Sequence, residues 1–484
     1  MSVSGVVKTI QDIMRRDEGD NGDAQRIQQM CWLFFLKIID DQDQQLELLN
    51  PKYKSPIPSK FQWRTWAANP EGITGESLID FINNDLFPSL KTLNVTGKDA
   101  ERAVMVTNVF KDSYNNMRQG SLLRQVVNKV QEINFNRLAD RQHFGDIYEQ
   151  ILAKLQSAGN AGEFYTPRAL TNFMVELIDP KLGESLMDPA CGTGGFITSV
   201  IRHVRESYVK TIEDEKILQT SLHGIEKKQL PLMLCTTNML LHNIENPNFI
   251  RRSNTLARPY TSYTDADRVE IIVTNPPFGG EEETGIESNY PPHLKTRETA
   301  DLFLAIIIRL LKNQGRAAII LPDTTLFADH TVKKRLKEEL LTQCNLHTIV
   351  RLPPSTFQPY ASVGTSMLFF TKGEPTKSIW YYEQQVPSTQ KAYSKTRPMK
   401  SEHLDDLRNW WHPEDQSKRE ENENAWQVGV DEIVAHDFNL DIKNPNRPDE
   451  IYADPSDAID ALSKSNSQIE GIKEELVSAL RRFF

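Results

Sequence analysis

Cysteine is scarce in this chain: 484 residues hold four, at positions 31, 191, 235 and 344. None sits at metal-ligand spacing and no disulfide framework can be drawn, so neither a bound metal nor a stapled secreted scaffold is expected. Scattered thiols fit a reducing cytoplasm. Long apolar runs are lacking as well. The densest, Trp32-Leu33-Phe34-Phe35-Leu36, falls far short of the roughly 20 residues of a membrane span, so no membrane contact is expected. Met1-Ser2-Val3-Ser4-Gly5 does not start a secretory signal. Positive charge is not in excess either; the net charge is −10. An acidic chain that handles a polyanion draws affinity from local basic patches or from a partner. Lys333-Lys334-Arg335 with Lys337, and Lys391, Lys395, Arg397 and Lys400 around Tyr393, are candidate patches; each also reads as a solvated face. No P-loop and no G-x-G-x-x-G occurs, so a motor or nuclease role finds no support in the sequence.

The length allows two or three domains at roughly 150 residues each. Residues 1–150 read as helical: Asp23 or Asn21 could cap a helix that turns Ile27, Met30, Leu33, Phe34, Ile38 and Ile39 inward. Further helical patterns run from Ala100 to Asn116 and from Leu122 to Ile133. From about 151 to 375, strand and helix alternate, which predicts an α/β fold: a mostly parallel sheet with helices on both faces. Strands are expected to end at Met187, Glu226, Val273, Leu321, Leu352 and Phe370. Residues 151–445 are taken as one domain and 446–484 as a tail. In that tail Leu462, Ile469, Leu476 and Phe483 recur every seven residues, with Ile472 and Ala479 between them and Ser465 interrupting. Such a seam wants a partner helix, or packs on its own domain.

Three segments carry chemistry. Asn275-Pro276-Pro277-Phe278 follows the apolar run Val269–Val273, at the strand end where open α/β sheets place their sites. Asn275 offers an amide oxygen as acceptor. The prolines exclude a mid-strand position and hold the adjoining carbonyls. Phe278 offers a flat face. Together they suit an exocyclic amine on an aromatic heterocycle: two acceptors, the Asn275 side chain and the Pro276 carbonyl, would draw its hydrogens out of plane and localise its lone pair. Upstream, the short strand Glu184–Met187 runs into Asp188-Pro189-Ala190-Cys191-Gly192-Thr193-Gly194-Gly195-Phe196 and then a helix. Strand, glycine turn and helix form a nucleotide-type cradle, although an ordinary tight turn has the same composition. Leu222–Glu226 reads as the next strand, ending in a carboxylate suited to ribose hydroxyls; taken alone, Glu226 equally suits a solvated strand end.

In this order, with Gly162-Glu163-Phe164-Tyr165-Thr166-Pro167-Arg168 before the glycine turn and Asp301-Leu302-Phe303 and Gly315–Pro322 after the tetrapeptide, the chain resembles the N6-adenine DNA methyltransferases of the gamma class. Within that class it is similar to the modification subunit of type I restriction–modification systems. The resemblance spans roughly residues 1–445. It implies a Rossmann-like methyltransferase sheet, with a helical N-terminal domain that closes over DNA and meets a partner (or only caps the sheet). It further implies S-adenosylmethionine as methyl donor and adenine N6 in double-stranded DNA as acceptor. By carry-over, Glu163, Phe164, Tyr165, Thr166, Pro167 and Arg168 line the methionine end of the cofactor. Asp188, Ala190, Gly192, Thr193, Gly194 and Gly195 hold its amino acid portion, Glu226 its ribose and Asn254 its adenine. Asn275, Pro276, Pro277 and Phe278 are the catalytic turn. Glu163 stands where glutamine is more usual.

A flipped base would stack on Phe278, and no catalytic His or Cys is called for. Phe357 reads as a second wall for that base or as a core aromatic. The polar loop from Gly279 to Glu298 could cover the base, or equally be disordered without DNA. Residues 376–484 are too few for a sizeable sequence-reading domain, which suggests that recognition is delegated to a separate specificity subunit; the resemblance further implies two modification subunits per specificity subunit and a restriction/translocase subunit in the full complex. Competing readings are an RNA or glutamine-amide methyltransferase on the same fold, or a non-catalytic assembly subunit. Glutamine enzymes usually carry Tyr where this chain has Phe278.

Overall fold

In the computed structural model, the described residues are 3–19, 22–94, 96, 100–137, 144–145, 148–149, 151–152, 166–358, 363–394, 396–412, 416–446 and seven positions between 459 and 473. Glu163, Phe164, Tyr165, Asn21, Lys395 and the tail positions Leu462, Ile472, Leu476, Ala479 and Phe483 therefore lie outside them.

Among the described residues, nine strands form one sheet. They are β1 Leu186–Asp188, β2 Leu222–Glu226, β3 Ile250–Arg252, β4 Val269–Thr274, β5 Leu311–Pro322, β6 Cys344–Leu352, β7 Thr365–Lys372, β8 Ser378–Glu383 and β9 Ala425–Gly429. Their order is β3-β2-β1-β4-β5-β7-β6-β8-β9. Strands β1 to β5 pair in parallel, and β6 pairs in parallel with β8. Strand β7 runs antiparallel between β5 and β6, and β9 antiparallel to β8. The C-terminal ends of β1 to β6 and β8 consequently share one rim.

The two faces of the sheet alternate residue by residue, as the pleat requires. Leu186, Ile271, Val273, Ala318 and Ile320 join one core with the helices Arg168–Ile178 and Gly195–Ser207. Met187, Ile272, Ala317, Ile319 and Leu321 join the other with the helices Thr299–Leu310 and Thr331–Gln343. Helices thus cover both faces, as predicted. The expected strands end within two residues of the observed ones, but the sheet does not stop near 375, because β8 and β9 extend it to Gly429.

The N-terminal region is helical, with the long helix Asp23–Leu49 at its centre. Its six predicted inward residues are all buried. Its N-cap is neither predicted residue but Gly22, in extended backbone with no side-chain cap. The helix expected to reach Asn116 ends at Phe110, and that expected from Leu122 to Ile133 spans Gly120–Gln131.

The helix Gln229–Leu241 is buried along nearly its whole length, as a helix apolar on every side must be. Met233, Leu234, Leu240 and Leu241 belong to the N-terminal core; Leu232, Cys235 and Met239 belong to the sheet core. One element therefore serves both hydrophobic cores. The basic run 333–337 lies on the helix Thr331–Gln343 and is not a surface patch. Lys333 and Lys337 are buried and donate to the Thr324 and Phe327 carbonyls, while Lys334 and Arg335 pair with Asp437 and Glu338. These lysines face the buried Asp301, and burial raises the Asp301 pKa and lowers that of Lys337.

Candidate active site

Strand β1 ends at Asp188, and the chain turns through 189–194 into the helix Gly195–Ser207. Gly194 is required by conformation and by space, whereas the room at Gly195 is taken up by the end of the Arg168 side chain. Gly194 has a φ of 84°, and a Cβ there would meet Cys235 Sγ at 2.7 Å; at Gly195 it would lie 1.9 Å from Arg168 Nη1. Arg168 is aimed by Glu149 through a 2.7 Å bond from Nε. Glu149 also accepts from Asn238, whose amide donates to Thr193 O at 3.2 Å. The turn is thus clamped from the N-terminal side.

Strand β4 delivers Asn275. Its last residue, Thr274, donates to Asp188 Oδ1 at 2.7 Å, tying the ends of β1 and β4 together. Asp188 also accepts from Ala190 N at 3.1 Å. Burial pushes its carboxyl up to about 7; the Thr274 hydroxyl and the Ala190 N–H oppose the rise and the negative charge of Glu226 adds to it. Glu226 spans the turn from the other side, accepting from Gly192 N at 2.9 Å and Lys228 N at 2.7 Å.

Two cavities flank the glycine turn, of about 140 Å³ and about 40 Å³. Ile225, Glu226, Asn254, Glu282 and Phe303 help line the larger. Thr166, Arg168, Asp188, Gly195 and Phe196 help line the smaller. Ala190, Gly192, Thr193 and Asn275 line both. Asn275 Nδ2 donates to Thr166 Oγ1 at 2.9 Å, and its buried Oδ1 has no partner among the described residues. An unpartnered buried acceptor is uncommon enough to call for a reason.

The remaining sequence candidates divide. Pro276 and Pro277 line the larger cavity, and Pro167 caps the helix Arg168–Ile178. Gly194 acts through its conformation. The Asn254 amide is engaged at both ends, by Leu256 N at 2.9 Å and by Glu282 at 3.3 Å. Phe278 is buried and meets Phe357 edge to face, with centroids 4.9 Å apart. Sequence reasoning missed Thr274, Glu149, Asn238, Phe303 and Glu282 as site residues. Only Phe303 carried a signal, through the Asp301-Leu302-Phe303 stretch.

Residues 139–454 match the N-6 DNA Methylase family and residues 4–130 the HsdM N-terminal domain. The methylase subunit of the type I restriction enzyme EcoEI from Escherichia coli is 55% identical over 98% of this chain and 97% of that protein. The chain belongs to the methylase subunits of type I restriction enzymes. Solved structures agree. A Vibrio vulnificus protein described as a type I modification subunit is 43% identical, with a TM-score of 0.80 over 92% of this chain and 96% of that one. A chain from a study of type I restriction–modification complex assembly is 34% identical, with a TM-score of 0.83 over 99% and 98%. As a methylase subunit this chain is an adenine-specific DNA methyltransferase with the sheet of methyltransferases that use S-adenosylmethionine. No helix among the described residues is long and apolar enough to cross a membrane.

Proposed function

We propose that this methylase subunit transfers a methyl group from S-adenosylmethionine to N6 of an adenine flipped out of double-stranded DNA. The observation that carries this is the unpartnered buried acceptor Asn275 Oδ1, on an amide tethered to Thr166 between the two cavities. The chain's own groups suit the cofactor. The larger cavity, with Glu226 and Asn254, fits its adenosine; the smaller, with Thr166, Arg168 and Asp188, fits its amino acid end. Ala190, Gly192 and Thr193 face both cavities. Within 163–168, Glu163, Phe164 and Tyr165 complete that wall by resemblance alone. When bound, S-adenosylmethionine supplies a methyl group activated by a sulfonium.

Flipping the adenine costs roughly a few kcal/mol in stacking and pairing. Phe278 and Phe357 form an edge-to-face pair that a planar base would part, recovering some of that cost by stacking. Asn275 Oδ1 and the Pro276 carbonyl accept the two N6 hydrogens and localise the lone pair. The N6–C bond forms as the S–C bond breaks, and one N6 proton leaves to solvent through those acceptors. Orientation is the main contribution of the protein.

Sequence reading is assigned to a separate specificity subunit, in a complex expected to hold two methylase subunits per specificity subunit and a restriction/translocase subunit in its complete form. The N-terminal helices, 1–150, are assigned to DNA closure and partner contact, 151–445 to catalysis, and the 446–484 tail to subunit contact. Ile469 in that tail is half exposed. A cytoplasmic location fits the four buried free thiols. The test is methyl transfer from labelled cofactor to unmodified genomic DNA, with and without the neighbouring specificity subunit. Label on adenine N6 only with the partner, lost in Asn275→Ala, is expected; label on RNA or protein instead would replace this reading.

A further inference from the structure

A second polar cleft opens on the catalytic rim, beyond the ends of β5, β6 and β8. Its volume is about 450 Å³, and Asp323, Arg351, Pro354, Gln384, Gln390 and Lys391 help line it. The loop after β6 links it to the catalytic turn: Pro353 and Pro354 line the cleft, and Phe357 follows three residues on. Tyr393 N donates to Ser355 Oγ at 3.0 Å. Ser355 lies two residues before Phe357, which packs on Phe278.

The cleft holds amide groups that the fold leaves unused. Gln384 is only 7% exposed. Its Nε2 donates to the Gln385 and His403 carbonyls at 3.0 and 2.8 Å, which settles its orientation, and its Oε1 has no partner. Gln390 Nε2 is likewise buried and unpartnered. One acceptor and one donor left without partners among the described residues, on two amides of the same cleft, suit a nucleobase edge, which presents donors and acceptors of its own.

Charge narrows the choice of ligand. Asp323 and Glu383 also line the cleft, accepting from Ser366 at 2.8 Å and Asn444 at 3.1 Å. Arg351 is held by Asp441 and the Ile442 carbonyl, both at 2.8 Å. Two carboxylates disfavour a free phosphate in the interior, while the exposed Lys391 offers an ammonium at the rim. A neutral base inside with its phosphate outside satisfies both.

We propose that this cleft is a nucleotide subsite for DNA. It holds one nucleotide neighbouring the flipped adenine, with its base edge on Gln384 and Gln390 and its phosphate on Lys391. The proposal rests on the function proposed above. The test measures methyl-transfer kinetics of the assembled methylase–specificity complex on unmodified genomic DNA, with cofactor affinity by calorimetry. Gln390→Leu is expected to raise KM for DNA about tenfold, the loss of one base-edge contact, with kcat within about twofold and cofactor affinity unchanged. Lys391→Ala, at the surface and harmless to folding, is expected to lower the salt slope of DNA binding by about one. Unchanged KM and salt slope in both variants, with Asn275→Ala inactive, would overturn the subsite alone. Full transfer by Asn275→Ala would overturn the catalytic reading instead.

Discussion

Asp188 joins fold and chemistry within a single side chain. It is 1% exposed and carries a carboxyl pushed up to about 7 from 3.8, mainly by burial. Because the folded chain holds the proton more tightly, the contribution of Asp188 to stability is fully present below the unfolded value of 3.8 and is lost as pH rises through 7. A cationic amino acid group beside it favours the ionised form. Cofactor affinity is therefore expected to rise between pH 6 and 8, by up to about tenfold per unit below the carboxyl's pKa, and to lose that slope in Asp188→Asn. Calorimetric titration across that range measures it, and an equal slope in the variant would exclude Asp188 as the titrating group. Asp188 and Asn275 were legible in the sequence because each sits in a contiguous motif at a strand end. Glu282 and Gln384 were not, because tertiary structure alone brings their partners to them.

Among the elements, the loop after the catalytic turn is tied down by bonds of its own beside the larger cavity, which Glu282 helps line. Glu282 N donates to Arg297 O at 2.9 Å, Thr299 Oγ1 to Gly280 O at 3.0 Å, and the Glu282 carboxylate meets Lys227 at 3.4 Å and Asn254 at 3.3 Å. Glu282→Ala is expected to speed cofactor release several-fold while leaving kcat for bound DNA within about twofold. A stopped-flow chase reads the rate, and an unaltered rate would mean that the loop does not retain the cofactor. Strands β1, β2 and β4 to β7 were legible because buried strands read as apolar runs. Strand β3 was not, since two of its three residues are exposed arginines, and β9 is a short edge strand with two exposed positions. The lysines at 333 and 337 misled for the opposite reason: one helical turn apart, they share the face that meets Asp301 and the loop carbonyls.

Across the whole molecule, the two cores meet in the helix Gln229–Leu241. Leu240 is fully buried in the N-terminal core. Leu240→Ala is expected to cost about 2–5 kcal/mol, and because the helix is common property, both cores should melt together. Helical circular dichroism and the fluorescence of tryptophans in each core should follow one transition; two separated transitions would show the cores to be independent. Pro231 and Leu234 of the same helix also line the larger cavity beside the glycine turn. Should the N-terminal helices close onto a duplex as proposed, that wall would tilt with them. Linkage would make the traffic two-way: whatever factor DNA closure imposed on cofactor affinity, the cofactor would return to closure in equal measure. On that reading the supply of methyl donor tunes how firmly this subunit grips DNA.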